Sequence, residues 1–138
     1  MEARNAKDLG ALPHAIRGMW FDLFRLDYDR QDRQFRLPLS YSKRPNFEKL
    51  LTVTDVSDVT VNGRMTGEIC ELQRLDVSDN SVRLTSDFPL EVVLTTGDDR
   101  TIEITDLPRP YRVRSIDINV GEAISSLLRF LHLKAPPS

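Results

Sequence analysis

Carboxylates are the most numerous chemically active side chains of this sequence, and they cluster in its middle. Between Thr54 and Asp106 there are twelve Asp and Glu but only four Arg, whereas the whole chain has a net charge of -2. Paired carboxylates serve acid–base catalysis or bind calcium when they converge on one cleft or loop. Asp98-Asp99 fits the tip of a hairpin equally well, because Asp favours tight turns. The pattern therefore indicates a solvated acidic surface before it indicates a reaction.

An acidic surface of this kind steers and binds a basic partner. Strand alternation and turn position place several of these carboxylates on the outside of the predicted sheet. We therefore expect a noncatalytic protein-interaction module that binds or neutralises a basic protein, or that associates with itself. The residues predicted to contact the partner are Glu91, Asp98, Asp99 and Glu103.

Arginines form a second candidate site, for anions. Arg30, Arg33 and Arg36 lie in or beside one predicted turn, and the fourth member, Arg44, lies in the predicted loop after the next strand. Guanidinium groups bind phosphate and carboxylate through paired hydrogen bonds, so the alternative function is a small β-barrel that binds an anion or nucleotide. A further group, Arg109, Arg112 and Arg114, flanks Tyr111 in a manner known from single-stranded nucleic-acid surfaces. The pI of about 5.7 opposes a nucleic-acid partner, and we expect the arginines to pair with the acidic strands instead.

The Arg-rich turn 30–36, followed later by Asp55-Val56-Ser57, resembles the plan of PilZ domains, which are small β-barrels that bind cyclic di-GMP. Those domains carry an arginine motif RxxxR and, further on, a second motif [DN]xSxxG. Here the arginines are spaced R-x-x-R-x-x-R, and Thr60 stands where the glycine should be. The sequence therefore does not predict the nucleotide site of that family.

Histidine and cysteine do not form a catalytic or metal-binding pattern. His14 and His132 lie far apart in the sequence, without further ligands at the spacing that zinc requires. Cys70 has acidic and apolar sequence neighbours, which oppose the thiolate that a nucleophile needs. We expect Cys70 to be a buried apolar residue, and we expect no enzymatic activity, no metal and no cofactor.

Four stretches between 68 and 106 alternate apolar and polar residues, which predicts four strands of one continuous antiparallel meander. Turn-forming residues separate them at 78–81, 87–89 and 97–100. The alternation slips at Gln73-Arg74 and, upstream of the meander, near Asp55. A bulge or break is expected at each place, because a one-residue slip turns the apolar set to the wrong face.

Two further alternating stretches, 24–28 and 35–39, predict a β-hairpin with a polar turn between them. Pro38 places the second strand at an edge or bulge, because proline has no N–H to donate. Asn62-Gly63 is typical of a two-residue hairpin turn. A short strand is also expected at Tyr111–Ile118.

One amphipathic helix is predicted at the C-terminal end. Asn119 is its expected N-cap and Glu122 completes a capping box. The apolar stripe, Ile124, Leu127, Leu128 and Leu131, follows the helical period. The predicted fold class is mainly β (α+β), with about seven or eight short antiparallel strands in a curved sheet, roll or partly open barrel and this helix after them.

Length and composition fit one globular domain. The 138 residues are 40% hydrophobic and 29% charged. We expect a weakly ordered arm at 1–15, a β-rich domain at 16–134 and a tail at 135–138. Neither a signal-peptide pattern nor an apolar run of bilayer length is present in the sequence, and the single cysteine cannot form an internal disulfide. These observations predict a cytoplasmic protein without a membrane partner.

Overall fold

The computed structural model describes residues 2–3, 15–43, 46–63, 69–87 and 90–120. Strands dominate this part of the chain, as the alternating sequence predicts. A single turn of 3-10 helix, Leu23–Arg25, interrupts them near the start. The strands are β1 Glu2–Ala3, β2 Trp20–Asp22, β3 Asp27–Asp29, β4 Gln34–Ser40, β5 Lys49–Val53, β6 Val56–Gly63, β7 Ile69–Val77, β8 Ser81–Ser86, β9 Leu90–Thr96, β10 Ile102–Asp106 and β11 Asn119–Val120.

The strands form an open sheet in the order β1-β10-β5-β4-β2-β7-β8-β9-β6-β11, and β3 pairs with β4 beside β2. Neighbouring strands are antiparallel except that β11 runs parallel to β6. This confirms a mainly antiparallel β fold. The prediction of one continuous meander holds for β7, β8 and β9 and is wrong for β10, which leaves them to pair with β5.

The predicted hairpin is present as β3 and β4, but the 3-10 turn Leu23–Arg25 replaces the start of the predicted strand 24–28, and a separate short strand, β2, precedes this turn. Both short strands pair with β4, β3 at Gln34–Arg36 and β2 at Leu39–Ser40. Pro38 is therefore not at an edge of the sheet. It pairs with Leu50 of β5 on one side, and on the other it lies in the gap between β2 and β3, where no partner strand requires its missing N–H.

Both predicted irregularities are confirmed. The backbone of Asp55 takes a positive φ of 55° between β5 and β6, and the register of β7 shifts between Leu72 and Arg74. The hairpin turn predicted at Asn62-Gly63 is wrong. These two residues continue β6 and pair with β9, because β6 borders β9 rather than β7.

One apolar core holds the sheet together, and the inward residues of nearly every strand contribute to it. Its largest fully buried side chains include Tyr28, Phe21 and Phe35. Burial of such side chains stabilises the fold by about 1.5–3 kcal/mol each. Cys70 also belongs to this core and is fully buried, as predicted.

The segment 111–120 follows β10 and spans the space between β3 and β6. The backbone N–H of Tyr28 donates to Ser115 O at 2.9 Å, and that of Asp117 donates to Tyr28 O at 3.2 Å. Asn119 begins β11 beside Thr60 of β6, so its predicted role as a helix N-cap is wrong. The helix predicted after it lies outside the described residues. Within the described ranges, no helix combines the length and apolar character that crossing a membrane would demand.

Candidate interaction site at the acidic turns

Asp55 joins two turns that are far apart in the sequence. Its Oδ1 accepts hydrogen bonds from the Nε and Nη2 of Arg33 at 3.2 and 2.8 Å, on the turn between β3 and β4. Its Oδ2 accepts from the backbone N–H of Asp99 at 3.1 Å, and its carbonyl oxygen accepts from Gly97 at 2.9 Å. The corner between β5 and β6 therefore fixes the β9–β10 turn against the β3–β4 turn.

This junction holds an unusual backbone. Arg33 and Asp55 have positive φ angles of 53° and 55°, a conformation that costs a non-glycine residue about 1 kcal/mol or more. The hydrogen bonds between their side chains, and one from Val56 N–H to Arg33 O at 2.9 Å, offset that cost. Gly97 is required by close approach, because a Cβ at this residue would come within 2.2 Å of Asp55 Oδ2.

A fourth turn completes the surface. The backbone N–H of Thr96 donates to Asn80 O at 2.9 Å, which joins the β7–β8 turn to the end of β9. We call residues 29–33, 54–55, 78–81 and 97–100 the acidic turns. Their carboxylates outnumber their guanidinium groups: Asp29, Asp32, Asp55, Asp79, Asp98 and Asp99 against Arg30, Arg33 and Arg100. Arg100 is buried and donates to Thr96 Oγ1 at 3.0 Å.

The structure brings together two of the four predicted partner contacts. Asp98 and Asp99 are exposed at the tip of the β9–β10 turn. Glu91 lies on β9, half-buried and 3.5 Å from Arg83 of β8. Glu103 lies on β10, which is not a neighbour of β9 in the sheet. The predicted set is therefore one exposed pair and two separate glutamates.

The arginines of the alternative site are engaged by carboxylates where the structure describes them. Arg30 lies 3.5 Å from Asp58, and Arg33 is bonded to Asp55. Arg36 forms an ion pair with Asp27 through two nitrogens. Arg44 lies outside the described residues. These arginines pair with carboxylates, but the partners Asp27, Asp55 and Asp58 precede the meander of residues 68–106, whose acidic strands were expected to supply them.

Asp27 makes several buried polar contacts that the sequence did not reveal. Strand alternation placed it on the solvent side, but its side chain is 0% exposed. Besides the ion pair with Arg36, its Oδ1 accepts from the backbone N–H groups of Arg114 and Ser115 at 3.2 and 3.1 Å. The predicted hairpin itself held the signal, since its register sets Asp27 directly opposite Arg36.

Arg114 extends this buried contact to the surface. Its Nε lies 3.5 Å from Asp27, its Nη1 donates to Asp32 at 3.1 Å and its Nη2 donates to Gln34 at 2.6 Å. We call the group Asp27, Arg36, Arg114 and Ser115 the Asp27 clasp. It fixes segment 111–118 against β3 and β4, so its role is structural.

Cys70 has no nucleophilic character in this fold. Burial, with smaller contributions from the charges of Asp87 and Asp22, raises the pKa of its thiol to about 11. His14 and His132 lie outside the described residues. Among the residues that the structure describes, no three or more His, Cys, Asp or Glu side chains are grouped to hold a metal.

No family model, curated protein or solved structure matches this chain.

Proposed function

We propose that this protein is a noncatalytic interaction module that presents its acidic turns to a basic protein partner. The observation that carries the proposal is the exposed Asp98-Asp99 tip, held by the strained Asp55 junction. Backbone strain of this kind concentrates at functional sites, where the surrounding contacts keep it in place. A fixed tip loses little conformational entropy when a partner binds, which favours affinity.

The charge of the surface supports the same proposal. Arg30 and Arg33 pair with Asp58 and Asp55, so the exposed Asp98 and Asp99 contribute charge that these arginines do not neutralise directly. Carboxylates in such a patch raise the association rate with a basic protein and oppose nucleic acid. In this proposal the protein acts in the cytoplasm, where a lone thiol such as Cys70 stays reduced.

The test compares two variants that lose the same charge. One is Asp98→Asn with Asp99→Asn. The matched control is Asp76→Asn with Asp106→Asn, which removes two exposed carboxylates that lie outside the acidic turns. Each is immobilised and exposed to native lysate, bound proteins are quantified, and each captured protein is then purified and titrated at several salt concentrations.

We expect the wild type and the control variant to capture a basic protein from the lysate, and we expect the Asp98/Asp99 variant not to capture it. Its affinity should fall with rising salt, because exposed charges are screened. Capture of the same proteins by both variants would refute the acidic turns as the binding surface. Self-association would instead appear as a concentration-dependent mass in light scattering that the Asp98/Asp99 variant abolishes.

A further inference from the structure

A cavity of about 340 Å³ opens to solvent on a different part of the molecule from the acidic turns. Three segments form it: the 3-10 turn, the residues just before β5 and the residues just after β10. Leu107 N–H donates to Glu48 O at 2.8 Å, and Tyr111 OH donates to Arg25 O at 3.2 Å, so these segments are bonded to each other. The lining includes Arg25, Asn46, Phe47, Leu107, Arg109 and Tyr111.

The cavity is positively charged. Arg25 and Arg109 both line it, and none of the lining residues within the described ranges is acidic. Asp22 lies 3.8 Å from Arg25, a loose ion pair that leaves the half-exposed guanidinium with donors to spare. Arg109 donates to Phe47 O at 3.4 Å, and no carboxylate of the described residues lies within ion-pair distance of it.

An aromatic ring of the lining contacts one of these two cations: the Arg25 guanidinium lies 4.8 Å from the centre of the Phe47 ring. The ring of Tyr111 is contacted by Arg36 of the Asp27 clasp, which lies 5.1 Å from its centre and is not part of the lining. Burial raises the pKa of the Tyr111 phenol to about 12, so at neutral pH this residue adds no negative charge. Two carboxylates adjoin the lining in sequence, and each accepts a hydrogen bond: Glu48 from the Asn46 amide at 3.1 Å and Asp106 from Lys49 Nζ at 2.6 Å.

We propose that this pocket binds a small organic anion whose phosphate or carboxylate group contacts Arg25 and Arg109. Guanidinium groups donate in a planar fork that matches both kinds of oxyanion. Leu107 and Pro110 offer apolar surface to the remainder of the ligand, and the volume is at the lower end of the range for small-molecule sites. The ligand site shares no residue with the acidic turns, so either proposal can fail without the other.

The experiment is isothermal titration calorimetry of the full chain with phenyl phosphate, benzoate, inorganic phosphate and uncharged phenol. Arg109→Gln is the test variant, and it is expected to fold because Arg109 is exposed. Arg112→Gln is the matched control, since it removes the same charge from a neighbouring exposed residue outside the lining. Circular dichroism of both variants checks that the fold is retained.

We expect phenyl phosphate or benzoate to bind the wild type, and to bind Arg109→Gln about tenfold more weakly or worse, the loss expected for charge-assisted hydrogen bonds. Arg112→Gln should change the affinity by less than about twofold. The anion with the higher affinity, phenyl phosphate or benzoate, identifies the preferred head group. The difference in affinity between these anions and inorganic phosphate measures the contribution of the apolar contact. Absence of saturation by both anions up to ~10 mM, equal losses in the two variants, or equal binding of phenol would overturn the proposal.

Discussion

Replacing Asp27 with Asn tests whether the Asp27 clasp holds segment 111–118 against β3 and β4. The substitution keeps the size of the side chain and removes its charge. Asp27 is 0% exposed and faces Arg36, whose side chain is 16% exposed, so neither group is well hydrated in the folded protein. An Asn at this position has one acceptor oxygen instead of two, and its NH2 group would face guanidinium donors.

The expected loss of unfolding free energy follows from these contacts. Removing one partner of a buried ion pair costs about 3–5 kcal/mol, because the other charge stays buried without compensation. Arg36 retains some exposure, and Arg114 is 39% exposed, so both regain part of their hydration. We therefore expect the low end, about 3 kcal/mol, which for a domain of this size lowers Tm by roughly 10 °C.

Urea denaturation followed by circular dichroism measures the loss, and hydrogen exchange locates it. The amides of Arg114 and Ser115 donate to Asp27 in the wild type and should exchange faster in Asp27→Asn. Asp76→Asn is the control, because Asp76 is 48% exposed and has one contact to Arg74 at 3.2 Å. Equal shifts of the urea midpoint in the two variants, or unchanged exchange at Arg114 and Ser115, would refute the clasp.

Three more substitutions probe the core and the acidic turns. Burial raises the pKa of the Cys70 thiol from 9.0 to about 11, so the unfolded chain loses this proton first as the pH rises. The stability that the protonated Cys70 thiol contributes is complete below about pH 9 and is lost as the pH rises through about 11. Cys70→Ala should therefore flatten this part of a plot of the urea midpoint against pH. An unchanged plot would contradict the raised pKa of Cys70. Gly97→Ala places a Cβ against the Asp55 carboxylate and should lower the free energy of unfolding by roughly 2 kcal/mol, measured by thermal denaturation. Much of this destabilisation should be absent when Asp55 is replaced by Gly. Equal destabilisation in both backgrounds would exclude this clash. Tyr28→Phe leaves the Val56 carbonyl without the buried phenol donor at 2.9 Å and should cost about 1–2 kcal/mol in urea denaturation, whereas wild-type stability would show the bond to be dispensable.

The local irregularities and one turn of the strands were predictable from the sequence. The break at Asp55 and the bulge before Arg74 were found from slips in apolar alternation, and the structure confirms both. The β7–β8 turn was found from its turn-forming residues. Each of these features is decided within a few neighbouring residues, since a strand exposes alternate side chains to the core and a turn needs particular backbone angles.

Strand order was not predictable in the same way. β10 follows β9 after a short turn but pairs with β5, and Asn62-Gly63 continues a strand instead of turning. Alternation of apolar and polar residues specifies which face of a strand is buried. Which strand pairs with it depends on how all the strands together cover the core. That choice depends on segments far apart in the sequence.

For the candidate sites, the amino-acid sequence is enough to place the excess of carboxylates in the middle of the chain and Asp98 and Asp99 in a turn. The fold is needed to see that Asp55 fixes this turn, that Glu91 and Glu103 lie elsewhere and that Asp27 is buried. A buried or strained polar residue is stable only with its partners in place. Those partners, such as Arg114 for Asp27 and the Asp99 amide for Asp55, come from distant segments that folding alone brings together.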